Sequence, residues 1–146
     1  MDNEFLSLGI GFGFFAFIFI ILIGFYVLNA ISLHRIADNR GSDKGWFAWV
    51  PILNSFLIPI LVEDDVIDSL RGKFTMVYLL TVVLSIIPLL GIVFAIVSAI
   101  MYFYSFYILV NQYSNNAIAY VVIVIVTGGI AMPFLLFRIR NRERIA

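Results

Sequence analysis

Hydrophobic residues run along this chain in long unbroken stretches rather than in alternation or as a one-sided stripe. Phe5–Leu33, Trp46–Val62, Phe74–Val110 and Ala117–Phe137 contain no Asp, Glu, Lys or Arg. A helix that crosses a hydrocarbon layer roughly 30 Å thick uses about 20 such residues, and a helix apolar on every side has no face for water. The pattern predicts an all-α integral membrane protein of four to five hydrophobic helical segments, in a single domain over residues 1–146.

The segments differ in what they can do. Trp46–Val62 has 17 residues and holds Pro51, Asn54 and Pro59; each proline removes a helical hydrogen bond. Irregular backbone at membrane depth survives only where protein or water covers it. This stretch therefore either crosses or dips in and returns, packed against its neighbours. Phe74–Val110 has 37 residues, about 55 Å as one helix at 1.5 Å per residue. It is either a single helix with a protruding end or a hairpin turning at Pro88–Gly91. Ala117–Phe137, with Gly128, Gly129 and Pro133 inside it, either spans or re-enters, the glycines allowing a kink.

Composition agrees with the pattern. Of 146 residues, 63% are hydrophobic and 12% charged, with mean hydropathy +1.08, whereas soluble domains are about half apolar. The segments use nearly the whole chain, so no separate soluble domain is expected. The first one follows the acidic opening MDNEF rather than a basic leader, and is read as a retained helix rather than a signal peptide. The absence of cysteine excludes disulfides, thiolate metal sites and thiol catalysis.

Net charge is zero, but acids gather at 63–68 and bases at the C-terminal end. Lys and Arg in short loops favour the cytoplasmic side. Four plain crossings place six bases inside and three outside, and five crossings place seven and two. A dipping Trp46–Val62 places all nine inside. All three threadings put the C-terminus in the cytoplasm, and two of them put the N-terminus outside. A weak internal echo also runs through the chain: in each half a long helix ends in a polar stretch and is followed by a hydrophobic segment broken by small residues or proline. Repeats of this kind build many transporters.

Two stretches carry a resemblance. LHRIADNRGSDKGWFAWVPILNSFLI contains Arg40-Gly41 and a Trp-x-Ala-Trp-x-Pro-x-x-Asn signature at Trp46, Ala48, Trp49, Pro51 and Asn54. YSNNAIAYVVIVIVTGGIAMPFLLFRIRNR ends in Pro133, Leu136, Phe137, Arg140 and Asn141. Together they resemble a group of small, largely uncharacterised multi-pass membrane proteins of Firmicutes, from which Arg138 departs by standing where an apolar residue is usual. The resemblance implies a bacterial plasma membrane and names no activity.

Candidate chemistry is sparse. Asp64, Asp65 and Asp68 form an Asp-Asp-x-x-Asp run; on a helix these carboxylates would share a face and could hold Mg²⁺ and a diphosphate. That reading is a Mg-dependent lipid-diphosphate enzyme, which normally needs a second acidic cluster across the site. The plainer reading places Glu63–Asp65 at the start of a short amphipathic interfacial helix, with Asp68 paired to Arg71. His34 and Arg35 close the first helix as cations at its C-terminus. Asn29, Asn54 and Ser55 seek partners across a helix interface, and Gly9, Gly11 and Gly13 allow helices to approach closely. Trp46, Trp49, Pro51, Asn54 and Pro133 are the expected packing or interface residues. Arg138, Arg140, Arg142 and Arg144 form a basic patch for anionic lipid headgroups, too small a face for nucleic acid.

No cofactor is expected. Spans without ionisable residues argue against a proton or ion pathway, and no convergent catalytic set is visible. The expected role is an accessory, regulatory or immunity-type subunit that packs its helices against a membrane protein or peptide. A small transporter or channel subunit built on the repeat is the alternative.

Overall fold

The long apolar segments lack any strand-like alternation, and among the described residues every regular element is helical. The structure is a computed structural model that describes residues 2–145, with side chains from Leu8 onward. Six α-helices and one 3-10 turn follow in order: α1 Asp2–Asn39, the 3-10 turn Gly45–Trp49, α2 Pro51–Leu61, α3 Phe74–Leu84, α4 Gly91–Asn111, α5 Ala117–Val126 and α6 Met132–Ile139. Two helices are long and apolar enough to cross a membrane, α1 over Leu8–Asn39 and α4. α2, α3 and α5 are apolar but have only 10 or 11 residues, about 16 Å of rise.

α1 runs six residues past the expected Leu33 and stops where the sequence supplies a terminator. Gly41 adopts φ +70°; its N–H donates to Asp38 O at 2.9 Å and the Ser42 N–H to Ala37 O at 3.0 Å. This left-handed glycine cap satisfies the last carbonyls of the helix. Gly128, at φ +60°, closes α5 in the same way, with Gly129 N–H donating to Val124 O at 2.8 Å. The kink expected before Pro133 is thus a complete break, and Ala117–Phe137 forms two helices.

Trp46–Val62 turns back. The 3-10 turn leads to Val50, whose extended backbone (φ −103°, ψ 117°) is the conformation a following proline imposes, and Pro51 opens α2 where its missing N–H costs nothing. Arg40 before the segment and Asp65 after it meet at 2.7 Å, so both ends lie at one edge of the bundle. Phe74–Val110 is a hairpin. The Phe74 ring meets Tyr104 and the Tyr78 ring meets Tyr102, an antiparallel register that closes through Ser85–Leu90. Gly91 is required there, since a Cβ at that position would run into the Ser85 carbonyl oxygen. α5 and α6 make the third return, because the Arg140 carbonyl accepts a hydrogen bond from Asn39 Nδ2 at 2.7 Å.

One end of the bundle therefore collects residues 39–45, Asp65, Gln112 and the tail from Arg140. The packed core lies on that side: Leu33, Ile36 and Ala37 of α1, Leu57, Ile58 and Leu61 of α2, Phe106, Leu109 and Val110 of α4, and Leu136 and Ile139 of α6 are all buried. At the other end nothing between residues 8 and 29 of α1 is buried, and Ile86, Leu89, Ile92, Ile96 and Ile100 are exposed. An apolar surface of that extent is far larger than water-soluble monomers tolerate.

The packing repeats. α1 packs against the 3-10 turn and α6, while α4 packs against α5 and α2. Each long helix thus touches the start of its own hairpin and the end of the other. Asn39 closes α1 and Asn111 closes α4; the next residues, Arg40 and Gln112, are 72 positions apart and bond to one another. The long helices run in the same direction, since both end at the polar end of the bundle. α3 stands outside this plan, packing on α4 and α2.

Candidate functional site: the polar end of the bundle

At the closed end four separate stretches converge on Arg40. Its side chain is only 8% exposed. One guanidinium nitrogen donates to Gln112 Oε1 at 2.5 Å and another to Asp65 Oδ2 at 2.7 Å. Gln112 Nε2 donates to the same Asp65 oxygen at 2.7 Å, and Arg144 approaches Asp65 Oδ1 at 3.6 Å. The Ile145 N–H then donates to the Gln112 carbonyl at 2.7 Å. Charge-assisted bonds of this kind are about twice as strong as neutral ones, and here they join the end of α1, the loop after α2, the end of α4 and the tail.

This network reassigns the acidic run. Residues 62–73 form turns rather than a helix, so Asp64, Asp65 and Asp68 do not share a helical face, and neither a helix dipole nor an amphipathic stripe is present. The polypeptide turns after α2, with the Asp65 N–H donating to Val62 O at 2.9 Å, and the turn brings Asp65 to Arg40. Asp68 does pair with Arg71, at 3.2 Å with both groups well exposed. Among the described residues no three His, Cys, Asp or Glu side chains are grouped so as to hold a metal ion. A polar cavity of about 400 Å³ lies beside the network, lined by Arg40, Lys44, Glu63, Asp64, Asp65 and Arg144 among others. With Asp43 also in the lining, it holds four carboxylates and three basic groups.

Deeper in, the signature residues explain one another. The corner at Val50 keeps the Ala48 carbonyl from its usual helical donor. Asn54 Nδ2 takes that place at 2.7 Å, and the Tyr26 hydroxyl donates to the same oxygen at 3.4 Å. Asn29 Nδ2 donates to Asn54 Oδ1 at 3.0 Å, so the two amides find partners across a helix interface as their positions suggest. Trp46 and Trp49 stay about half exposed, Trp46 edge-on to Phe47 at 4.5 Å. Pro133 begins α6 as Pro51 begins α2. No family model matches the chain, and no curated protein or solved structure matches it. The geometry alone carries the functional reading.

The basic patch divides. Arg144 is held by Asp65, Arg138 and Arg142 are exposed, and Arg140 stacks over the Phe137 ring at 3.6 Å. Arg140 also enters a second cavity of about 330 Å³, with Ile31, His34, Arg35, Asp38, Trp49 and Asn141. His34 Nε2 lies 3.5 Å from Asp38. Gly45 packs so tightly on this ring that a Cβ would sit 2.9 Å from Nδ1. One stretch has no packing partner among the described residues: nothing lies within 4 Å of a Cβ built at Gly9, Gly11 or Gly13. Residues 126–128 and Ile130, between α5 and α6, are also exposed, although the N–H groups of Thr127, Gly128, Gly129 and Ile130 are bonded within the turn.

Gln112, at the centre of the network, is missed by sequence reasoning because it sits in no motif, and Arg40 is picked out only as part of the Arg40-Gly41 signature, with no sign of its partners. The sequence signal they share is that each follows an asparagine.

Proposed function

We propose that the chain is a non-catalytic multi-pass membrane protein that works as an accessory, regulatory or immunity-type subunit by packing against a membrane partner. The observation that carries this reading is the bare half of the bundle: α1 from Leu8 to Asn29 has no buried residue. Helix association in lipid depends on packing and interhelical hydrogen bonds, with small residues letting backbones approach. Gly9, Gly11 and Gly13 supply that surface outward. The break after α5 lies about 15 Å from the polar end by helical rise and adds exposed Val126 and Ile130 to the apolar surface open to a partner.

In this reading α1 crosses the plasma membrane, the hairpin over 74–111 reaches across it and returns through α4, and the shorter 46–62 and 117–139 dip in from the cytoplasmic face and return to it. That arrangement puts all nine bases inside, the N-terminus outside and the C-terminus in the cytoplasm. The bacterial location rests on the Firmicutes resemblance. Purification in mild detergent should recover a stoichiometric membrane companion, lost on Gly11→Ile; a monodisperse chain recovered alone defeats the proposal.

The repeated packing favours a second reading, a small transporter or channel subunit, since interrupted half-depth segments at matching places mark such sites. Reconstituted vesicles showing ion flux sensitive to substitutions at Thr127 would support it, and silence across common ions would remove it.

A further inference from the structure

We infer that the lateral groove between α1 and α6 at the polar end binds the headgroup of an anionic phosphodiester lipid, of the phosphoglycerol class. The groove has two guanidiniums, from Arg35 on α1 and Arg140 at the end of α6, and one carboxylate, Asp38. Counting His34 as neutral, its net charge is one positive, the complement of a single phosphodiester. Neither Arg35 nor Arg140 has a carboxylate partner among the described residues, whereas Asp38 is engaged by His34 at 3.5 Å. Guanidinium forks match phosphate oxygens geometrically. Arg140 is held in place by Phe137 beneath it and by the Asn39 bond to its carbonyl.

The remaining lining selects the rest of the molecule. Asp38 can accept, and Asn141 can donate or accept, hydrogen bonds with headgroup hydroxyls. Both charge balance and hydroxyl recognition favour a glycerol headgroup over choline. A cavity of about 330 Å³ is at the small end of ligand sites and suits a headgroup rather than a nucleotide. Its apolar wall is Ile31 and Trp49, 38% and 47% exposed. Farther from the polar end the same two helices meet again through Phe134, which lies edge-on to Phe25 at 5.5 Å and stays half exposed. An acyl chain has an apolar track there, which a soluble phosphate would not use. A phosphoglycerol lipid accounts for both surfaces at once.

The chain has two tryptophans, so Trp46→Phe leaves Trp49 as a reporter inside the groove. In vesicles that mix unlabelled phosphatidylcholine with brominated lipid, Trp49 fluorescence should be quenched more by brominated phosphatidylglycerol than by brominated phosphatidylcholine or phosphatidylethanolamine at equal mole fraction. A preference of about fivefold is expected for the groove's one net positive charge. The double variant Arg35→Gln/Arg140→Gln should bring the ratio near one, while Arg138→Gln/Arg142→Gln, which removes the same charge outside the groove, should leave it nearly intact. Soluble glycerophosphoglycerol should not displace the lipid. Equal quenching by the three lipids, or equal loss in the two double variants, overturns the site; displacement by the soluble compound overturns the lipid as its occupant.

Discussion

Replacing Arg40 by methionine keeps the length of the side chain and removes the guanidinium that joins α1 to the rest of the polar end. Asp65 would keep Gln112 and a looser contact to Arg144 at 3.6 Å, and Gln112 Oε1 would lose its donor. Breaking a fully buried ion pair costs about 3–5 kcal/mol. Arg40 is nearly that buried, but the Asp65 side chain is 32% exposed, so water recovers part of the loss and about 2 kcal/mol remains. For a chain of this size that corresponds to a Tm lower by roughly 5 °C, measurable by tryptophan fluorescence in mild detergent. Asp65→Asn should cost a similar amount. Because each change removes the same interaction, the double variant should be less destabilised than the sum by about 1 kcal/mol or more. The tail would also loosen, and limited trypsin digestion should cut sooner after Arg142. Additive effects within about 0.5 kcal/mol, with unchanged tail cleavage, would refute the network as a structural joint.

Asn54→Leu leaves the Ala48 carbonyl and the Asn29 amide without their main partner, and should destabilise by about 1–3 kcal/mol; an unchanged melting curve would show that the corner needs no cap. Gly91→Ala forces a methyl onto the Ser85 carbonyl oxygen and should open the α3–α4 hairpin, read as a lowered crosslinking yield between cysteines introduced at 78 and 102. The same yield in both proteins would refute the close approach. Asp64→Asn and Asp68→Asn, at exposed positions in the turns, should shift stability by less than about 0.5 kcal/mol, and a metal-dependent change in melting temperature would restore the acidic run as a cation site.

The helical class was legible because the long uncharged runs lack the alternation of a strand. The stops at Gly41, Val50-Pro51 and Gly128-Gly129 were legible as local chemistry, since each is a glycine or proline acting on its own backbone. Which of several threadings the chain adopts was not, because it turns on contacts between distant residues. Arg40 and Asp65 close the 46–62 return, Asn39 and Arg140 close the last one, and no pattern within either stretch announces its partner. The acidic run misled for the same reason: spacing suited to a helical face says nothing when the chain turns there and the middle carboxylate meets an arginine from another segment. The hairpin over 74–110 was one of two open readings, and Gly91 against the Ser85 carbonyl shows why the turn falls there.

The bond between Arg40 and Gln112 has one more implication. It ties together residues 72 positions apart, one directly after α1 and one directly after α4. Neither long helix can shift along the other at this end without stripping a nearly buried guanidinium of its acceptor, so the bond acts as a latch on their relative sliding.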